Sequence, residues 1–498
     1  MLGRKKNQLR FTDIDVMQTW EQKPIVSENS MYYGLSQANE IFRDELFADA
    51  YSFSGRPSIP PSRLIKALLL QFFDKVSDRE AENRARYDLR WKLALGISIG
   101  ESGFHYSALS RFRARLLLHQ KERPAFEEIL NAAIAKGLFP GSCSKQIMDS
   151  TYVLGAGAVQ DTYNLIRLAV SKLLKTLEKR INISALLSSP LNIDYNTRTK
   201  PKINWEDTGE RNKLLNELYQ DALQVIEAAE KLKLTPKEQE LKDVLASVAV
   251  QDIAQQADGT VKIKQGVAKD RIISTSDTQM RHGRKSSARK FDGYKTHTAM
   301  ETDNNFITEI EVTPGNTHDS EAAAMLVDKQ PEERKPDKVL CDMAYGTGKN
   351  REKMEQRQIK LICPVPANIG QNGCFPKSAF KIDLDAKTCQ CPADKMVVEI
   401  IYDKKTNRPK VFCFSREQCQ NCYPERCKIE NKQAEMVHHG LRQARYIGKA
   451  KVYLQSLLVG SVVNFKRYWK LVIEQIQDKS ITCDAMSKIT TTPLPIEI

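Results

Sequence analysis

Two acids set inside apolar, strand-forming runs are the residues of this chain best suited to chemistry. Asp149 lies in Lys145-Gln146-Ile147-Met148-Asp149-Ser150-Thr151-Tyr152-Val153, and Asp342 in Lys338-Val339-Leu340-Cys341-Asp342-Met343-Ala344-Tyr345-Gly346. Asp is disfavoured in strands and costly to desolvate, so a carboxylate there persists mainly where a metal ion or a basic group meets it. Either stretch alone could be an Asp capping a turn; the same arrangement twice favours a shared site that calls for a third acid. Sulfur forms a second set of candidate ligands. Eight of the eleven cysteines fall between Cys363 and Cys427, which suits a metal site better than a disulfide framework in a cytosolic chain. Cys391, Cys419, Cys422 and Cys427 supply four thiols, two of them at knuckle spacing, enough for a closed structural Zn²⁺ site, with Cys389 and Cys413 as substitutes. Reduced thiols packed as small hydrophobes are the alternative.

The elements that must position the two acids follow from periodicity. Short β-type runs at Tyr294 to Met300 and Phe306 to Val312 are joined by Thr302-Asp303-Asn304-Asn305, a hairpin signal. Then come a helix from Ser320 to Val327, the strand ending at Asp342, a helix near Asn350 to Arg357, and a strand from Lys360 to Val365. With the Asp149 strand placed first, strand-strand-strand-helix-strand-helix-strand is the order of a ribonuclease-H-like mixed sheet. Between the first two strands, apolar stripes such as Leu165, Leu168, Ala169, Leu173 and Leu177 predict a helical insertion over 160–268.

The first 140 residues read as all-α. Pro60-Pro61 opens a helix through Phe73; Ser77-Asp78-Arg79-Glu80 opens another that runs to Leu95 and stops at Gly96. A third, Tyr106 to Leu116, carries Arg111, Arg113 and Arg115, and such short helices could form a helix-turn-helix-like DNA reader or a plain bundle with a solvated basic face. The predicted fold class is therefore α/β. It comprises an N-terminal all-α domain over 1–140 and a ribonuclease-H-like domain over 141–470, interrupted by the helical insertion and a Cys-rich insertion at 368–427. A C-terminal tail over 471–498 follows.

Charge narrows the partner. In 498 residues, 76 Lys and Arg against 62 Asp and Glu give a net charge of +14, which suits a phosphate backbone or an anionic membrane surface. No apolar run approaches the roughly 20 residues of a membrane span, and the start MLGRKKNQLRFTD lacks a signal peptide's apolar core, so a cytoplasmic protein that binds no membrane is expected. Arg281, Arg284, Lys285, Arg289, Lys290 and Lys295 form a basic run beside the sheet, where a DNA backbone would pass; a solvated loop is the alternative.

Several of these stretches, in order, resemble one family. Phe53-Ser54-Gly55-Arg56-Pro57, Met148-Asp149-Ser150-Thr151, Arg281-His282-Gly283-Arg284-Lys285, Phe291-Asp292-Gly293-Tyr294-Lys295, Leu340 to Gly346, and His439 to Tyr446 are similar to bacterial insertion-sequence transposases of the DDE class, most closely the eleven-eighty-two group. The resemblance runs from Phe53 to about Tyr468. It implies a third acid on a helix after the last strand, in the pattern Tyr, two residues, Arg, three residues, Glu, which Tyr423, Arg426 and Glu430 keep. Arg426 and Glu430 then share one helix face, so the Arg can orient the carboxylate or contact phosphate. Glu435 lies off that pattern, and Val437 replaces a Lys the family uses for DNA.

By the same resemblance, Asp149, Asp342 and Glu430 hold Mg²⁺ or Mn²⁺, hard ions suited to all-oxygen ligands. Two such ions would drive hydrolysis at element ends and strand transfer into target DNA. The implied partner is double-stranded DNA, bound by a homo-oligomer in a bacterial cytoplasm. A DNA-binding relative that lost catalysis is the alternative, since the segment before Glu430 is shorter than in relatives.

Overall fold

The computed structural model describes residues 26–489 apart from 53, 142–143, 198–200, 267, 269, 286–288, 364–379, 384–385, 392–393, 403–408 and 414–423; of 184, 409–411, 424–428 and 478–489 only the backbone is described. The chain opens with α1 (Met31–Gln37), α2 (Pro61–Phe73), α3 (Asp78–Tyr87), α4 (Leu89–Leu95), α5 (Ser107–Leu118) and α6 (Pro124–Ala135). Ser77 caps α3 by accepting the Glu80 N–H, as its position in the sequence predicts. The helix expected from there to Leu95 is two helices, because Asp88 leaves helical geometry and its carboxylate accepts the Arg90 N–H to start α4. Gly96, at φ 60°, closes α4 in the left-handed region.

β1 (Lys145–Leu154) leads into the helical insertion of α7 (Thr162–Leu177), α8 (Thr208–Glu230) and α9 (Pro236–Gln251), closed by the ribbon of β2 (Ile253–Gln255) and β3 (Val261–Ile263). Leu173, Leu218 and Leu245 belong to a core of the insertion's own. The chain then returns through β4 (Arg281–Arg284), β5 (Lys290–Glu301), β6 (Ile307–Pro314), α10 (Asp319–Asp328), β7 (Lys338–Cys341), α11 (Gly348–Glu355) and β8 (Lys360–Ile362). These strands and β1 make a six-stranded mixed sheet. β1 lies between antiparallel β5 and parallel β7; β8 continues parallel beyond β7, and β4 and β6 pair with β5. The β5–β6 turn is held by Glu301, whose carboxylate accepts N–H groups from Asp303, Asn304 and Phe306. β1 and β5 close tightly at Gly293, φ 149°, where a Cβ would stand 2.2 Å from the Val153 carbonyl oxygen.

Two small hairpins follow, β9 (Lys381–Asp383) with β10 (Thr388–Gln390), and β11 (Glu399–Tyr402) with β12 (Pro409–Cys413). α12 (Pro424–His438) and the 41-residue α13 (Lys449–Ile489) complete the chain. The tail expected from 471 is in fact the continuation of α13, in which Val472 is still buried. The N-terminal helices are not a core apart. Leu68, Trp91 and Phe126 share one apolar cluster with Tyr294 and Ile310 of the sheet and with Val459, Val463 and Phe465 of α13. The physical reason is α13, whose apolar residues serve the helices on one side and β6 on the other. Among the described residues, no helix is long and apolar enough to cross a membrane.

Candidate active site

Strand register brings the two aspartates together. β1 and β7 run parallel with Met148 opposite Cys341, so the next residues, Asp149 and Asp342, lie side by side. Asp149 remains within β1, opposite Thr298 of β5, and its Oδ1 accepts the Ser150 N–H at 2.7 Å. Asp342 follows the last residue of β7 and caps a short turn over Met343–Tyr345, accepting the Ala344 N–H at 3.1 Å. Glu430, the candidate for the third acid, lies on α12, which packs across β1. Ile429 is buried against Ile147 and Met300, a contact that contributes about 1.5–3 kcal/mol to seating the helix, and Glu430 follows it directly.

The charges register this convergence. Burial, then the carboxylates of Asp342 and Glu430, push the Asp149 carboxyl up to about 7, against the opposing pull of the Ser150 N–H and Lys285. A carboxyl raised first by burial and then by two further carboxylates would gain from a positive charge beside it, and the donors are all oxygen, which fits a hard divalent cation. Among the described residues no three His, Cys, Asp or Glu side chains stand close enough to hold an ion as they are. The rival Glu435 is committed elsewhere, its oxygens meeting Lys432 at 3.1 Å and Lys466 at 2.6 Å.

A layer that sequence reasoning missed supports the aspartates. Asp319 opens α10, accepts from Ser150 Oγ at 2.9 Å and pairs with Lys295 at 2.7 Å. Against the burial that would raise it, Lys295 above all holds its carboxyl below the ordinary value, with smaller contributions from His297 and Ser150. Fully buried His297 of β5 bridges the Tyr345 hydroxyl at 3.0 Å and Thr313 of β6 at 2.9 Å, and burial lowers its pKa to about 4. Tyr345 belongs to the turn that Asp342 caps, so β5, β6 and that turn are fastened together behind the acids. The only signal in the sequence was position: His297 in an alternating strand, Asp319 in the first turn of a helix.

The basic candidates divide. Arg284, Lys285, Arg289 and Lys290 are exposed. Lys295 is not, because Asp319 draws it inward, and Arg281 is half-buried with its guanidinium given to the Thr278 and Met280 carbonyls. On α5, Arg111 is exposed, Arg115 covers the Tyr51 ring at 4.1 Å, and Arg113 is buried in an ion pair with Asp78. Lys295, Arg281 and Arg113, expected as DNA contacts, are each engaged by partners within the chain. The side chain of Arg426 lies outside the described residues, as do Tyr423, Cys419, Cys422 and the side chain of Cys427. Cys391 is described, and its Sγ accepts the Lys395 N–H at 3.4 Å.

Comparison with known proteins gives two family matches. Residues 265–465 match the family described as a transposase DDE domain, a span that includes Asp342 and Glu430, and residues 21–115 match the transposase domain DUF772. No curated protein matches. One solved structure, a cryo-EM structure of the piggyBac transposase synaptic complex with hairpin DNA, is similar at 11% identity. It covers 68% of this chain and 76% of that one with a TM-score of 0.21, a likeness too slight to argue from.

Proposed function

We propose, from the premise that this chain belongs to the insertion-sequence transposases of the DDE class, that it binds element ends as double-stranded DNA and cuts and rejoins them at Asp149, Asp342 and Glu430. The observation that carries the reading is the strand register that sets Asp149 beside Asp342, with Glu430 on the helix that packs across β1; burial, and after it these two carboxylates, raise the Asp149 carboxyl to about 7. Mg²⁺ or Mn²⁺ bound among these oxygens would activate the attacking hydroxyl and stabilise the departing oxygen of an in-line displacement. The chain's own part is to aim its oxygens. Asp149 is held by the Ser150 N–H and Asp342 by the Ala344 N–H, while Glu430 depends on how α12 seats through Ile429.

Hydrolysis and strand transfer are one displacement with two nucleophiles, water or a 3′-hydroxyl, and neither needs a covalent bond to the enzyme. Lys285, close enough to act on Asp149, would meet a phosphate beside the scissile bond. Arg284, Arg289 and Lys290 extend that strip, Arg111 offers a separate contact on α5, and Arg426 would join from α12. Within this reading the sheet is a ribonuclease-H-like catalytic core, two copies act on paired ends, and Cys391, Cys419, Cys422 and Cys427 hold a structural Zn²⁺ that ties the hairpins to α12.

The test is cleavage of DNA carrying the sequences that flank this chain's gene, with Mg²⁺. Nicks at the element ends are expected. Asp342→Asn should bind those ends as the wild type does and cut at least about 10³-fold more slowly, since it removes a ligand without touching the basic strip. A wild type that binds ends and never cuts them would make this an inactive relative.

A further inference from the structure

The residue before Asp342 has a partner of its own kind. Leu340 of β7 pairs with Ile362 of β8, so Cys341 and Cys363 come next on neighbouring parallel strands. Both are free thiols, Cys341 buried and Cys363 half-buried, and they share a hydrogen bond. Strands in a sheet lie about 4.8 Å apart, within the roughly 4.4–6.8 Å Cα separation that a disulfide bridges. The sulfurs already face each other.

A cation completes the arrangement. Arg351 of α11 donates to Cys363 Sγ at 2.9 Å and to the Cys363 carbonyl at 3.2 Å. A guanidinium against sulfur favours the nucleophilic thiolate. The same side chain donates to the Gly346 carbonyl at 3.3 Å, at the end of the turn that Asp342 begins. Cys363 is thus joined to the mount of Asp342 twice, through Cys341 and through Arg351.

We propose that Cys341 and Cys363 are a modification site for peroxide, closing as a disulfide that shifts Asp342 and stops DNA cleavage. The thiolate of Cys363 attacks one peroxide oxygen, breaking the O–O bond to give a sulfenic acid and a hydroxide, which takes up the proton the thiol had released and leaves as one water. The Cys341 sulfur then attacks the sulfenic sulfur, and the hydroxyl leaves as a second water with the thiol proton. Two thiols lose two electrons in all, and one hydrogen peroxide accepts them. Closing the bond ties the residue before Asp342 covalently to Cys363 and takes from Arg351 its sulfur acceptor, so the turn at Asp342 is altered at both ends. A reducing thiol reverses the step. The effect on cleavage rests on Asp342 being a catalytic acid; the chemistry of the pair does not.

The test uses the full chain, reduced and then exposed to hydrogen peroxide, and reads it by non-reducing peptide mapping and by cleavage of end-bearing DNA with Mg²⁺. The Cys341–Cys363 link should form before any other, cleavage should fall by about tenfold or more, and dithiothreitol should restore it. Cys363→Ser should cleave normally and resist peroxide. Cys341→Ser should leave Cys363 as a sulfenic acid that dimedone traps. Circular dichroism confirms that each variant folds, with Cys363→Ala in reserve. The proposal is overturned if other thiols oxidise while this link stays absent, if the link forms and cleavage is unaltered, or if Cys363→Ser is as peroxide-sensitive as the wild type. A reduced wild type that cuts nothing would count against the Mg²⁺ chemistry instead, and the peptide map alone would then decide the pair.

Discussion

Asp149 carries a conflict that can be measured without any substrate. Its carboxyl is pushed from 3.8 to about 7 when the chain folds, so the folded protein holds a proton that the unfolded chain gives up across that interval. The stability this lends is fully present below pH 3.8 and is lost as pH rises through about 7. Above that pH the metal-free protein keeps a carboxylate its neighbours repel. Asp149→Asn should therefore abolish cleavage and yet stabilise the protein at pH 8 in the presence of a chelator, by about 1–3 kcal/mol once solvent screening is allowed for. Urea midpoints of the two proteins at pH 8 and at pH 4 give the answer. A variant less stable than wild type at pH 8 would mean that Asp149 is at ease in the fold and not waiting for a cation.

Local signals in the sequence carried most of the elements, and the misses share one cause. The Ser77 cap, the stop at Gly96 and the turn at Thr302 to Asn305 are written within a few residues of where they act, and so are the strand that carries Asp149 and the strand that leads into Asp342. Lys295 and Arg113 could not be separated from their exposed neighbours, because what buries them is Asp319, 24 residues away, and Asp78, 35 residues away. His297 is the same kind of case, its partners Thr313 and Tyr345 being reached only through the sheet. Its pKa falls from 6.5 to about 4 by desolvation, so the stability it lends is whole above pH 6.5 and lost as pH falls through about 4. His297→Gln should weaken the fold at pH 7 but lose less between pH 7 and pH 4.5 than the wild type, as thermal midpoints would show. Equal losses would mean that the acid sensitivity comes from other groups. In the hairpins, the backbone N–H at Cys391 Sγ suits a thiolate ligand, so protein purified without chelator should carry about one zinc per chain. No zinc, with every thiol titratable in the folded protein, would return these cysteines to ordinary packing.

At the scale of the molecule, the boundary that composition suggests near residue 140 does not divide the core. Phe139 lies against Phe306 of the sheet with ring centroids 5.7 Å apart, and Arg123 of the helical region donates to both oxygens of fully buried Glu309 in β6. On the far side, Phe42 meets Phe465 of α13 at 5.8 Å, and the Trp469 indole N–H donates to the Glu28 carbonyl. Removing the helices would thus strip apolar cover from β6 and α13 together and take from Glu309 the cation that pairs with it. This couples whatever the helices do on DNA to the sheet that holds the acids, since neither can shift without repacking α13. A chain lacking residues 1–140 is accordingly expected to be insoluble, or to lack a cooperative thermal transition, whereas excising the insertion, which has its own core, should leave the sheet folded. Expression of both truncated chains, followed by calorimetry, distinguishes the two. A soluble fragment from 141 onward with a sharp transition would restore the two-domain reading and make the shared cluster a mere contact between independent bodies.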